Sequence, residues 1–294
     1  MHSRKMRRNG FLLFCIVPSL VLYLYFMVYP SVTVFINSAF SWSGLSPVKE
    51  FIGFENFKTL FADERFWTAF KNTVFLMIMV TIITMVLSMF LAYTLTRTKL
   101  REKNLYRTLF FFPNVLSVVV IGVLFEQIYA PQTGILNAGL SKLGLSEFAH
   151  AWLGEPETVL GAIGVAMVWQ AFGYYMVMYL AGMDSISPEL YEVADIEGAS
   201  KAYQFFHVTL PLMWEIVRVT LVFFIITNIN MSFLFVSVMT DGAPNGSSEV
   251  LLSYMYRQAF TNANFGYAMA VAVIIFLFSF ALALVINKLT ESKE

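Results

Sequence analysis

The sequence predicts an all-α integral membrane protein with six transmembrane helices. Apolar side chains make up 58% of its 294 residues and charged ones only 13%, about half the charge of an ordinary soluble domain. The apolar residues also gather into windows of about 20, the length a helix needs to cross the hydrocarbon core of a bilayer. Finally, these windows are continuously apolar, whereas the strands of a membrane barrel alternate. A helix satisfies its backbone hydrogen bonds within one segment, so each window reads as a helix.

The windows cover residues 11–36, 72–96, 108–125, 158–183, 219–240 and 265–286. The first follows a basic flank (Arg4, Lys5, Arg7, Arg8) but is too long for a signal-peptide core, and no small-x-small cleavage site follows it. It reads as a retained helix with Pro18 as a point of bending. The third is short and ends at Glu126, a residue expected at the membrane interface. Placing the N-terminus inside puts thirteen of the nineteen lysines and arginines on the inner side, including Arg97, Lys99, Arg101, Lys103, Arg107, Lys201, Arg218, Lys288 and Lys293. By the positive-inside rule both termini, and the loop 184–218, are then cytoplasmic.

Between the spans there are no repeats, no low-complexity tracts and no separate soluble domain. The outer loop 37–71 holds a short helix with Phe57, Leu60 and Phe61 on one face. That stripe suits either the membrane surface or the other helices. Residues 1–71 divide from 72–294 as tail, first helix and outer loop against the remaining core. In the inner loop, Ser187-Pro188 is a helix start, with Ser187 as cap and Glu189 at the positive end of the helix dipole. Leu190, Val193 and Ala194 make an apolar face, Gly198 permits a turn, and Ala202, Phe205, Phe206 and Thr209 make a second face. With Pro211 breaking the chain before the fifth span, the loop is expected to form two short amphipathic helices at an angle.

The polar residues carry little enzymatic chemistry. One cysteine, Cys15, excludes a disulfide framework, and net charge zero gives no reason to expect nucleic acid. Glu192, Asp195 and Glu197 read as a solvated helix face rather than a metal site, since only His207 is near and no zinc spacing occurs. No phosphate-binding loop, His-Glu-x-x-His or Gly-x-Ser-x-Gly is present. Within the spans, Gln170 and Tyr174 share one face of the fourth helix, and Asn228 and Ser232 share one face of the fifth. Such faces line a hydrated path for a hydroxyl-rich solute, or else hydrogen-bond helix to helix. Trp169 beside them is expected to pack rather than stack on a sugar. An ion-coupled secondary transporter is the alternative, and it would show more spans, internal repeats and buried acids.

The stretch "YEVADIEGASKAYQFFHVTLPL" resembles the signature cytoplasmic loop of permeases in binding-protein-dependent ABC importers. The family pattern Glu-Ala-Ala, two residues, Asp-Gly-Ala, then Phe and Leu-Pro appears as Glu192, Val193, Ala194, Glu197, Gly198, Ala199, Phe205, Leu210 and Pro211. Val193 replaces a small alanine and Glu197 replaces an aspartate. "FIGFENFKTLFADERFWTAFKNTVF", "FFPNVLS", "GILNAGLSKLGL", "VWQAFGYYMVMYLAGMDSISPELYEVA" and "MTDGAPNGSSEVLLSYMYRQAF" resemble further segments of carbohydrate-type permeases, so the likeness covers most of the chain. It implies the type I ABC importer permease fold in a bacterial or archaeal cytoplasmic membrane, surrounded by lipid. It also implies a second, different permease subunit, a dimeric cytoplasmic ATPase holding ATP and Mg, an extracellular solute-binding protein and an oligosaccharide or polyol-type substrate. No cofactor is expected in this chain. Glu192, Ala194, Glu197, Gly198, Ala199, Phe205 and Pro211 would couple to the ATPase. Tyr174 and Ser232 fall at or near positions resembling sugar contacts of the maltose-type permease, Asn228 lies in a similar asparagine-rich helix, and Gln170 is added by helical spacing alone.

Overall fold

The computed structural model describes residues 2–98 and 101–290, with side chains from residue 12 to 288. Lys99 and Lys293, and the side chains of Arg4, Lys5, Arg7 and Arg8, lie outside the described part. The chain forms two compact units. One comprises the chain through Asp63 together with Met255–Phe278, the other Glu64–Tyr254 together with the chain from Ser279.

In the first unit, α1 (His2–Tyr23) passes into a π turn (Leu24–Val28) and α2 (Tyr29–Asn37). The helix continues through Pro18, and its irregularity falls at the π turn, next to Pro30, which has no N–H to return to the preceding turn. Of the described side chains of this span, Leu12–Asn37, only Asn37 at its end is buried within the chain. A two-residue hairpin follows, β1 (Phe40–Ser41) against β2 (Glu50–Phe51), with Phe40 opposite Phe51. No alternation over two residues could have revealed it. In α3 (Glu55–Ala62), Leu60 is fully buried and Asn56 donates its amide to the carbonyls of Ser38 and Phe40 at 2.8 and 3.0 Å. The outer-loop helix therefore packs inward through Leu60 while Phe61 stays exposed. The hairpin also holds the start of the last helix: Gly266 donates its N–H to the Trp42 carbonyl at 3.0 Å, and the Trp42 and Phe265 rings lie 5.7 Å apart.

The second unit begins with α4 (Glu64–Arg97), which starts eight residues before the expected window. α5 (Lys103–Val115) and α6 (Val118–Ile128) replace the single third span: they meet at a 101° bend. Leu116 and Ser117 are extended there, and the Ser117 hydroxyl accepts the Val120 N–H, starting a new helix. Among the described residues five helices are thus long and apolar enough to span, and the bent pair makes a sixth if counted as one span. α7 (Ile135–Lys142) leads to α8 (Pro156–Asp184), whose Ile163, Ala166, Met176, Tyr179 and Leu180 are fully buried. α8 is the centre of the core, packed by Leu76 and Ala92 of α4 and later by Met213 and Phe235. Gly173 lets α5 approach, since a Cβ there would lie 1.8 Å from the Phe110 carbonyl oxygen.

The inner loop differs from the two-helix expectation. α9 (Pro188–Ile196) is a separate helix, but α10 (Lys201–Gln204) runs through a π turn (Phe205–Thr209) into α11 (Leu210–Met239). Lys201–Met239 is one helical run of 39 residues. Pro211 does not break it: the chain widens to π spacing just before the proline, and Leu210 donates its N–H to the Phe205 carbonyl. α12 (Leu251–Tyr256) and α13 (Phe265–Thr290) complete the chain.

Candidate functional site

The inner elbow is built around Gly198. Its φ of +76° lies in the left-handed region that suits glycine. The Ala199 N–H bonds the Ala194 carbonyl at 2.9 Å and the Gly198 N–H bonds that of Asp195 at 3.1 Å, a Schellman closure that ends α9 and turns the chain. The Ser187 hydroxyl does not cap α9, contrary to expectation; Ser200 instead caps α10 by accepting the Tyr203 N–H at 3.2 Å.

A polar cluster then fixes the turn. Gln204, fully buried, donates its amide to Asp195 and to the Ala199 carbonyl, and Lys201 pairs with Asp195 at 2.6 Å. The Lys201 ammonium, then the Gln204 amide, hold the Asp195 carboxyl below its ordinary pKa. Asp195 is therefore bonded within the elbow, not merely solvated. Glu192, Glu197 and Gly198 are exposed, and Ala194 and Ala199 half-buried. Phe205 is half-buried, its ring edge-on to Tyr93 at 5.0 Å. His207 stacks on Tyr203 with ring centres 4.0 Å apart. On α9 only Tyr191 is buried, while Leu190, Val193 and Ile196 are 46%, 59% and 84% exposed. Val193 thus lies on an uncovered face and its size crowds nothing inside the chain.

The four membrane residues separate into two pairs. Gln170 and Asn228 line one narrow cavity of about 20 Å³, together with Val80, Met167, Phe224 and Met231. Asn228 is buried, and neither atom of its amide bonds another of the described residues. Tyr174 and Ser232 are not among the lining residues. Tyr174 is 37% exposed with its ring edge-on to Tyr175, and the Ser232 hydroxyl donates to the Ile229 carbonyl at 2.8 Å. Trp169 packs edge-on against Phe125 at 5.5 Å, as expected. Glu126 is half-buried near the end of α6.

Sequence reading gave no role at the elbow to Tyr191, Tyr93 and Gln204, placed Thr209 only on an apolar face and counted Arg97 only among the inner cations. The Tyr191 and Thr209 hydroxyls are 2.9 Å apart, and the Arg97 guanidinium lies 3.9 Å from the Tyr191 ring centre. The available signal was a tyrosine on the helical face opposite the exposed Val193, in a helix with no other large inward residue.

Residues 85–293 match the family described as binding-protein-dependent transport system inner membrane component. The chain is 37% identical over 257 residues to the probable ABC transporter permease protein YurN of Bacillus subtilis, covering 86% of each. It is 31% identical to the diacetylchitobiose uptake system permease protein NgcF of Streptomyces coelicolor, covering 89% of this chain and 76% of that one. Its fold is similar to a chain of a bacterial alginate ABC transporter solved with a pentasaccharide-bound periplasmic protein, with TM-score 0.86, 23% identity and 99% of each chain covered. With the signature elbow, the apolar spans and matches of this extent, the chain belongs to the binding-protein-dependent inner membrane components and is a permease subunit of an ABC importer.

Proposed function

We propose that this chain forms half of the pathway of an oligosaccharide importer, beside a second, different permease subunit. A dimeric cytoplasmic ATPase, which binds ATP and Mg, drives it, and an extracellular solute-binding protein delivers the sugar. Hydrolysis belongs to the partner, since the chemistry of this chain is that of an elbow and a pore. In this reading residues 1–71 supply the inner tail, first span and outer loop. Residues 72–294 form the permease core with its coupling loop 184–218, and both termini face the cytoplasm of a bacterial or archaeal cell. The carbohydrate class is supported by the relative named for diacetylchitobiose uptake. The ion-coupled alternative finds no support in this family.

The observation that carries the reading is a helix closed at its C-terminal end by the Gly198 turn, with an uncovered apolar face, Leu190, Val193 and Ile196. Such a face in water is stabilised by a partner surface. Glu192, Glu197 and Gly198 border it, Ala194 and Ala199 set the turn, and Phe205 and Pro211 anchor it to α11. Gln170 and Asn228 line the sugar path, the part-exposed Tyr174 joins it when the two permeases assemble, and the buried Ser232 supports the same stretch of α11 behind it. Gly198→Val tests the docking. No atom of the chain lies within 4 Å of a Cβ built at Gly198, so the β-carbon meets nothing there and the cost within the chain is the strain of the left-handed backbone, about 1–2 kcal/mol. Capture of the ATPase on the tagged permease pair is expected to fall about tenfold, the equivalent of 1.4 kcal/mol. Undiminished capture would remove the elbow from the docking site.

A further inference from the structure

α9 is joined to α8 through Ser185–Ser187 with no side-chain cap, and Tyr191 is its one buried residue. The Asp195 bonds to Lys201 and Gln204 keep α9 at the elbow, and the Tyr191 ring ties it to α4. The Tyr191 hydroxyl meets Thr209 on the α10–α11 run, and the ring face carries the guanidinium of Arg97, the last residue of α4. Arg97 also donates through Nη2 to the Gln204 amide oxygen at 3.3 Å. One turn earlier on α4, Tyr93 donates its hydroxyl to the Lys201 carbonyl at 2.9 Å and presses its ring against Phe205. The end of α4 thus touches α9, α10 and the π turn, although it is about a hundred residues away in sequence.

α4 continues from this grip into the membrane. Ser88 donates to the Phe172 carbonyl of α8 at 2.7 Å, and Val80 lines the cavity that holds Gln170 and Asn228. From Arg97 back to Val80 the helix spans about 26 Å at 1.5 Å per residue. It has no break over that length. A rigid helix clamped at one end to the elbow and lining the cavity further along transmits displacement between them.

We infer that α4 is a lever between the coupling helix and the pore, with Arg97 as the positioning residue that clamps Tyr191. The inference rests on the importer reading above but is separable from it. Docking is tested by Gly198→Val, whereas transmission is tested in a complex that keeps its ATPase. The test uses the full complex with Cys15→Ser and a reporter, Met231→Cys, on the cavity wall. Alkylation of that thiol by N-ethylmaleimide is timed with and without ATP plus vanadate. Arg97→Ala is expected to retain the ATPase and its basal hydrolysis, while the nucleotide-dependent change in labelling falls about three- to tenfold. Arg97→Lys, which returns a cation over the ring, should recover part of the change. Tyr93→Phe, which removes one hydroxyl, should lower it in the same direction. A parental change in both Arg97→Ala and Tyr93→Phe overturns the inference. So does loss of the ATPase from Arg97→Ala, which would make Arg97 part of docking rather than transmission.

Discussion

Asp195 and Asn228 were both read from sequence as polar residues facing solvent or a pathway, and their surroundings give them different roles. Asp195 is held ionised by Lys201 and Gln204, so its folded pKa lies below the ordinary value. A depressed carboxylate stabilises the elbow fully above that ordinary value and stops doing so as pH falls through the folded one. Hydrogen exchange of the Lys201–Gln204 amides, corrected for intrinsic rate, should therefore be flat from pH 8 to 5 and quicken only below about pH 4. Quickening near pH 6 would show that another group controls the turn. Asn228 is buried with an amide that bonds none of the other described residues, a situation that costs about 1–3 kcal/mol. Asn228→Leu, which keeps the branching and number of side-chain heavy atoms but is bulkier, should raise the melting temperature of the purified complex and lower sugar uptake. A less stable protein would mean that the amide is satisfied in the assembly by something other than cargo.

Elements are where the membrane pattern and the actual helices part company. Hydropathy located every apolar run but could not place the bend at Leu116–Ser117, because a run of apolar residues looks the same whether straight or broken. Ser117, a cap residue followed by an apolar run, was the available mark. The inner elbow was misread in the opposite sense. Pro211 suggested a break, yet the π turn absorbed the missing N–H and left one continuous helix. Contact between elements also depends on single small residues. Gly173→Ala places a methyl against the Phe110 carbonyl, an overpacking expected to cost about 1–3 kcal/mol. Its signature would be a lower melting temperature in detergent, and a parental value would mean that α5 can shift freely away from α8.

At the scale of the whole molecule the prediction is topological. Ile196 and Leu45 are 84% and 86% exposed. In a Cys15→Ser background expressed without the ATPase, Ile196→Cys should react with a membrane-impermeant maleimide only from the cytoplasmic side, and Leu45→Cys only from the outside. The reverse pattern would invert the orientation that the lysine and arginine distribution implies. The family match over residues 85–293 agrees with the breadth of the resemblance carried by the inner-loop signature. The outer hairpin, by contrast, had no sequence signal, because two-residue strands exist only through their pairing.

The sequence alone determined that this is a helical membrane protein with a polar inner loop of importer-permease type. Bilayer thickness and backbone hydrogen bonding leave few alternatives for such apolar runs, and the glycine-centred loop pattern is local enough to be read in one dimension. Tertiary structure alone decided which side chains meet: Gln170 with Asn228 in one cavity, and Arg97 with Tyr191 at the elbow. Those pairs come from helices far apart in the chain, and periodicity fixes the face a residue occupies on its own helix but not the helix that comes to face it.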